Sequence, residues 1–171
     1  MNKIEIQYYK TKYGHFILGS YGNKLCLLDF KYRKMRTTVD NRLKKALNAQ
    51  FVEQNSDIIE ETKKQLNEYF NMERKTFDIP ILTVGTDFQK SVWSALTKVA
   101  YGTTSTYLEL AKSIGNEKAV RAVASTNGAN SIGIIIPCHR IVGSNGELIG
   151  YGGGLALKKR LLKLEQNLFA I

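Results

Sequence analysis

Cysteine is scarce in this chain. Its 171 residues contain two, Cys26 and Cys138, which lie far apart. Such a pair does not make a disulfide framework, and a reducing, cytoplasmic setting is expected. Histidine is equally rare, with His15 and His139 alone. No C-x-x-C or H-x-x-x-H spacing exists to build a four-ligand shell, so neither a metal nor another cofactor is expected. Proline occurs twice, at Pro80 and Pro137, and each marks a break in the pattern around it. No apolar run approaches the ~20 residues of a membrane span. The opening residues, Met1 to Glu5, lack the apolar stretch of a secretory signal. Acidic residues are also few: 15 against 25 lysines and arginines, a formal net charge of +10. That balance favours a polyanionic partner, most simply nucleic acid, although a basic protein without such a partner carries the same charge.

What is present reads as a globular protein, 43% hydrophobic and 23% charged, with enough chain for one sizeable core or two small ones. Ile4, Ile6 and Tyr8 alternate with Glu5 and Gln7, the period of a half-buried strand. Turns at Tyr13-Gly14 and Gly22-Asn23 separate it from residues 15–21 and 24–30, which predicts a three-stranded antiparallel meander. Cys26 falls inside an apolar run and reads as core. Residues 31–48 are dense in cations and read mainly as a solvated face, with helix over 42–47. A short strand is expected at 51–54. Ser56 and Asp57 cap a helix to about Phe70, whose apolar face is Ile58, Ile59, Thr62, Leu66, Tyr69 and Phe70. An extended connection through Pro80 divides the chain into residues 1–82 and 83–171.

The second part is predicted to be mostly helical. Thr86-Asp87 cap a helix over 88–99, Ser105 or Thr106 caps another over 107–114, and Gly115 ends it before a third over 117–126. Helix, short glycine turn, helix is the pattern of a helix-turn-helix unit. Its second helix carries Lys118 and Arg121 among Ala119, Ala122, Ala124 and Ser125. Such small side chains suit close approach to another surface and packing into a core equally well. Asn145-Gly146, between Ile141-Val142 and Leu148-Ile149, predicts a hairpin. A glycine-rich stretch at 150–154 leads into a last helix over 155–167. The fold class is α+β.

The chemistry concentrates at Ile134-Ile135-Ile136-Pro137-Cys138-His139-Arg140. Three β-branched residues read as a buried strand that Pro137 stops. A thiol, an imidazole and a guanidinium follow directly. Taken alone, this is compatible with a structural cysteine beside a surface histidine. Taken as chemistry, it offers a nucleophile and the one nearby base.

Five stretches, in order and spacing, resemble the O6-alkylguanine-DNA alkyltransferases, the methylated-DNA–protein-cysteine methyltransferases. They are 88–96, 101–107, 121–123, 136–141 and 150–153, with Lys159, Leu161, Leu162 and Glu165 continuing the pattern. The resemblance covers about residues 80–167. Ala100, Ala124 and Ser131 depart from it, while Cys138 separates the chain from a related non-enzymatic group.

The resemblance implies that the protein flips O6-alkylguanine out of duplex DNA and moves the alkyl group irreversibly to Cys138, once per molecule. It implies His139 as base acting through a water, Glu165 holding the imidazole, Tyr107 serving the leaving oxygen, and Asn130 shaping the catalytic pocket. Arg121 fills the vacated stack; Tyr107, which also crowds the 3′ phosphate, Ala122, Ser125 and Arg140 belong with it to the DNA-binding set. Tyr151, Gly152, Val142 and Trp93 line the substrate pocket. The first domain is expected to be ribonuclease-H-like. The expected partner is double-stranded DNA, entered through the minor groove by a monomer, with no membrane association. A DNA-binding damage sensor without transfer activity, and a cysteine hydrolase, are the competing readings.

Overall fold

In the computed structural model, which describes residues 2–166, the N-terminal alternation becomes a mixed sheet. β1 (Asn2–Thr11), β2 (Gly14–Tyr21) and β3 (Lys24–Phe30) form the antiparallel meander, and β4 (Ala49–Glu53) joins β1 in parallel. The strand order is β3-β2-β1-β4. Successive strand residues face opposite ways, so both sheet faces need covering. α1 (Arg36–Leu47) lays Val39 and Leu43 on Ile4, Ile6, Ile17, Cys26 and Leu27. α2 (Asp57–Phe70) begins where Ser56 Oγ accepts the Ile59 N–H. Its Phe70 stacks on Tyr13, with ring centroids 4.6 Å apart, and meets Phe16.

The cation-rich stretch differs from expectation. α1 starts well before Arg42, and part of the charge is turned inward. Buried Asp29 receives Arg33 at 3.0 Å and Arg36 at 3.1 Å, and Arg36 also reaches Asp40. These ion pairs anchor the helix start that propensity alone does not supply.

The chain divides into two compact units after Gly85. In the second, α3 (Asp87–Leu96) opens with a capping box between Thr86 and Gln89. Then come β5 (Ser105–Thr106), α4 (Tyr107–Ser113), a 3₁₀ turn at Glu117–Ala119 and α5 (Val120–Gly128). A second 3₁₀ turn at Cys138–Arg140 leads into β6 (Ile141–Val142), which pairs in parallel with β5. α6 (Leu155–Glu165) completes the described chain; Asn167, the expected end of that helix, lies outside the described residues.

Two expected strands are absent. Residues 134–136 form turns, because Asn130 bridges the loop: its Nδ2 donates to Ile136 O at 2.9 Å and its Oδ1 accepts the Ile132 N–H at 2.9 Å. A side chain that satisfies backbone groups in this way competes with a sheet ladder. The loop is tight enough to hold Ile134 at φ 68°, a left-handed conformation that a β-branched residue rarely adopts. The predicted hairpin also stops short. The Gly143 N–H bonds Glu147 O at 2.8 Å, but no strand follows over 148–149.

Candidate active site

Cys138 sits on the second 3₁₀ turn, immediately after Pro137, and is buried. Successive residues on such a turn are rotated by about 120°, so Cys138 and His139 point in different directions.

His139 is fully buried. Its Nε2 lies 2.7 Å from Glu165 Oε2. Glu165 also accepts from Arg140, with Nε 2.8 Å from Oε1 and NH2 3.0 Å from Oε2. Arg140 spends its remaining arm on Val99 O at 2.7 Å. Burial would raise the Glu165 pKa, but the hydrogen bonds from His139 and Arg140 outweigh it and hold the carboxyl at about 2. Burial, in contrast, lowers the His139 pKa more than Glu165 raises it, and Arg140 and Lys158 add to the lowering. The resulting pair is a carboxylate and a neutral imidazole. Nε2 then carries the proton donated to Glu165, and Nδ1, which has no hydrogen-bond partner among the described residues, keeps a lone pair.

α4 and the 149–154 segment bring further groups to the thiol. Tyr107, the first residue of α4, donates its hydroxyl to Ile149 O at 3.1 Å. Burial and then a Cys138 thiolate raise the Tyr107 pKa, with Asn127 opposing, so the phenol stays protonated. Tyr151 places its ring 6.5 Å, edge to face, from His139. Gly102 stands at φ 80°, and a Cβ there would lie 3.3 Å from the Glu165 carbonyl. That turn therefore requires glycine for both conformation and close approach.

The expected residues divide into groups. Cys138, His139, Glu165, Tyr107 and Tyr151 gather around one site, with Gly152 half-buried in the adjoining segment and Val142 buried on β6. Arg121, Ala122 and Ser125 are exposed together on α5, three and four residues apart or adjacent, as a helix face requires. Asn130 is buried, and both ends of its amide hold the loop before Pro137.

Two expected residues stand in surroundings that the sequence does not show. The Arg140 guanidinium is buried and bonded to Glu165 and Val99. Trp93 is 2% exposed, and its Nε1 donates to Thr126 O at 3.0 Å, tying α3 to α5.

Two residues of the site escape the sequence reading. Asn127 Nδ2 donates to Cys138 O at 3.4 Å. Lys158 is fully buried and donates to Ile149 O and Gly150 O. Lys158 stands two helical turns before Glu165 on α6, a spacing that could have flagged it as sharing the Glu165 face. Cys26 provides the contrast: burial pushes its thiol up to about 12, and it packs in the other unit's core.

The arrangement matches known proteins along both units. Residues 4–83 match the ribonuclease-like domain of 6-O-methylguanine DNA methyltransferase, and residues 87–167 match its DNA-binding domain. The methylated-DNA–protein-cysteine methyltransferase of Methanosarcina barkeri (strain Fusaro) is 44% identical over 154 residues, covering 90% of this chain and 92% of that one. The Haemophilus influenzae protein of the same name is 38% identical over 168 residues, covering 97% and 88%. The crystal structure of Mycobacterium tuberculosis OGT in complex with DNA superposes with a TM-score of 0.81 at 36% identity, covering 95% of this chain and 93% of that one. No helix among the described residues is long and apolar enough to cross a membrane. On both domains and nearly its whole length, the chain belongs to the 6-O-methylguanine DNA methyltransferase family.

Proposed function

We propose that this protein repairs DNA by taking the alkyl group of O6-alkylguanine onto Cys138, irreversibly and once per molecule. The observation that carries this is the His139–Glu165 pair at 2.7 Å, which leaves a neutral imidazole with Nδ1 available one residue from the thiol. An unactivated cysteine, pKa ~8.5, is mostly protonated at neutral pH and needs such a base.

The thiol proton passes through a water to His139 Nδ1, and Glu165 stabilises the imidazolium that forms. The sulfur lone pair attacks the alkyl carbon in line. A C–S bond forms, the C–O6 bond breaks, and its electron pair goes to the guanine oxygen. Tyr107, released from Ile149 O, donates to that oxygen, and the proton held by His139 balances the purine. The product is a thioether, a poor leaving group, so the sulfur is consumed.

The target atom is unreachable inside a stacked duplex, so the base must leave it. Arg121 enters the vacated space from α5, and Ala122 and Ser125 let that helix approach the minor groove closely. Tyr151, Gly152 and the backbone near Val142 enclose the flipped base, while Asn130 fixes the loop beneath it. Every named group comes from one chain, so a monomer suffices. Neither cysteine forms a disulfide, which suits a cytoplasmic setting. A damage sensor without transfer would have no use for a thiol beside that imidazole. The transferase names of the relatives likewise favour activity.

Cys138→Ala tests the reading. The variant should bind methylated duplex with near-native affinity and transfer nothing. Loss of binding together with transfer would make the cysteine a structural residue and overturn the assignment.

A further inference from the structure

Lys158 is the one fully buried lysine among the described residues, and the alkyl transfer set out above does not use it. Burying an ammonium is costly unless the charge is answered. Here the answer is specific. Nζ donates to Ile149 O at 2.9 Å and to Gly150 O at 3.2 Å. Ile149 O is also the acceptor of the Tyr107 hydroxyl at 3.1 Å. One carbonyl therefore joins α4, α6 and the segment that runs on to Tyr151. Gly150 itself stands at φ 55°, so the backbone turns directly above the amine.

A second line points at the sulfur. A Cys138 thiolate attracts the Lys158 ammonium, although burial outweighs that attraction and brings the amine down to about 8. The same attraction acts in reverse, since a cation beside a thiol favours its thiolate. The other titratable groups around this pair are Tyr107 of α4, His139 and Arg140 of the 3₁₀ turn, Glu165 of α6 and Tyr151. The Arg140 guanidinium is committed to Glu165, and the imidazole is neutral. Lys158 shares the Ile149 carbonyl with Tyr107, whose hydroxyl also feels a Cys138 thiolate, and this shared acceptor brings its charge into the surroundings of the sulfur.

We infer that Lys158 is a positioning residue for alkyl transfer: its ammonium clamps the carbonyls of Ile149 and Gly150 at the wall of the base pocket and serves as the counter-charge to the Cys138 sulfur. The inference rests on the proposed function for its biological meaning, but its first test does not. Cys138 alkylation by iodoacetamide, followed peptide by peptide against pH without DNA, reads the thiolate directly. In Lys158→Met the midpoint of that profile should rise by about one pH unit. Lys158→Gln, which keeps a donor and loses the charge, should show the same rise. Lys158→Arg should restore the native midpoint at least in part. Single-turnover transfer from methylated duplex should fall about tenfold in Lys158→Met, while duplex affinity stays within about twofold.

A purely structural lysine would lower the melting temperature and leave the midpoint unmoved. Unmoved midpoints in both neutral variants would overturn the inference. Failure of the native protein to accept a methyl group would overturn the proposed function, and the midpoints would still decide the place of Lys158.

Discussion

His139 Nε2 and Glu165 Oε2, twenty-six residues apart in sequence, meet at 2.7 Å, and the same carboxylate takes two hydrogen bonds from Arg140. Consecutive side chains from one 3₁₀ turn thus converge on a single residue of α6. The carboxylate orients the imidazole and neutralises a buried guanidinium at once. Glu165→Gln separates these tasks from mere packing, because the amide fills nearly the same space. Removing one partner of a buried ion pair costs about 3–5 kcal/mol. The transfer rate should fall about a hundredfold, the scale of losing an oriented general base. Denaturant unfolding and single-turnover kinetics on the same preparation check both effects.

Acid should destabilise the protein in two steps. Glu165 is held at about 2, against ~4.3 in an unfolded chain. A depressed carboxyl stabilises the fold above its unfolded pKa, and that stability drains away as pH falls from ~4.3 towards 2, by roughly 3 kcal/mol. His139 is also lowered, so below ~6.5 the unfolded chain takes up a proton that the native state resists. Both steps run the same way, and stability falls from pH 6.5 downward. Glu165→Gln should lack the lower step. Urea midpoints measured between pH 7 and 3 test this, and a flat profile in the native protein would contradict it.

The two thiols should behave as different chemical species. Cys26 is packed in a core with its pKa pushed up to about 12, whereas Cys138 lies beside a base and a cation. Under native conditions an alkylating reagent should label Cys138 alone. In denaturant it should label both, as peptide mapping would show.

Much of this was legible in the sequence, and what was not has physical causes. The meander and α2 could be read because one period persists over many residues and clear turn or cap residues bound each element. The Ile134–Ile136 run misled because β-propensity is a preference for a pleated, paired surface, and here Asn130 takes the backbone groups that a neighbouring strand would need. Trp93 and Arg140 belong to the right motifs, but their burial is set by partners distant in sequence, Thr126 and Glu165. Lys158 is not legible in the sequence, because a lysine on an amphipathic helix ordinarily faces water.

Arg121 is exposed on α5 beside Ala122 and Ser125, placed to enter a duplex from which a base has left. Arg121→Ala should slow transfer from methylated duplex about tenfold or more, whereas transfer from the free base O6-methylguanine should change little, since no stack needs filling. Comparing the two substrates in one experiment checks this. An equal loss on both would place Arg121 in the chemistry instead of the extrusion.

The most direct measurement is a titration of intact protein with duplex carrying one O6-methylguanine, read by mass. Lesions repaired should equal protein molecules added, and each spent molecule should carry one methyl group on the Cys138 peptide. Repair continuing beyond that equivalence, or a duplex and a sulfur both left unchanged, would contradict the account.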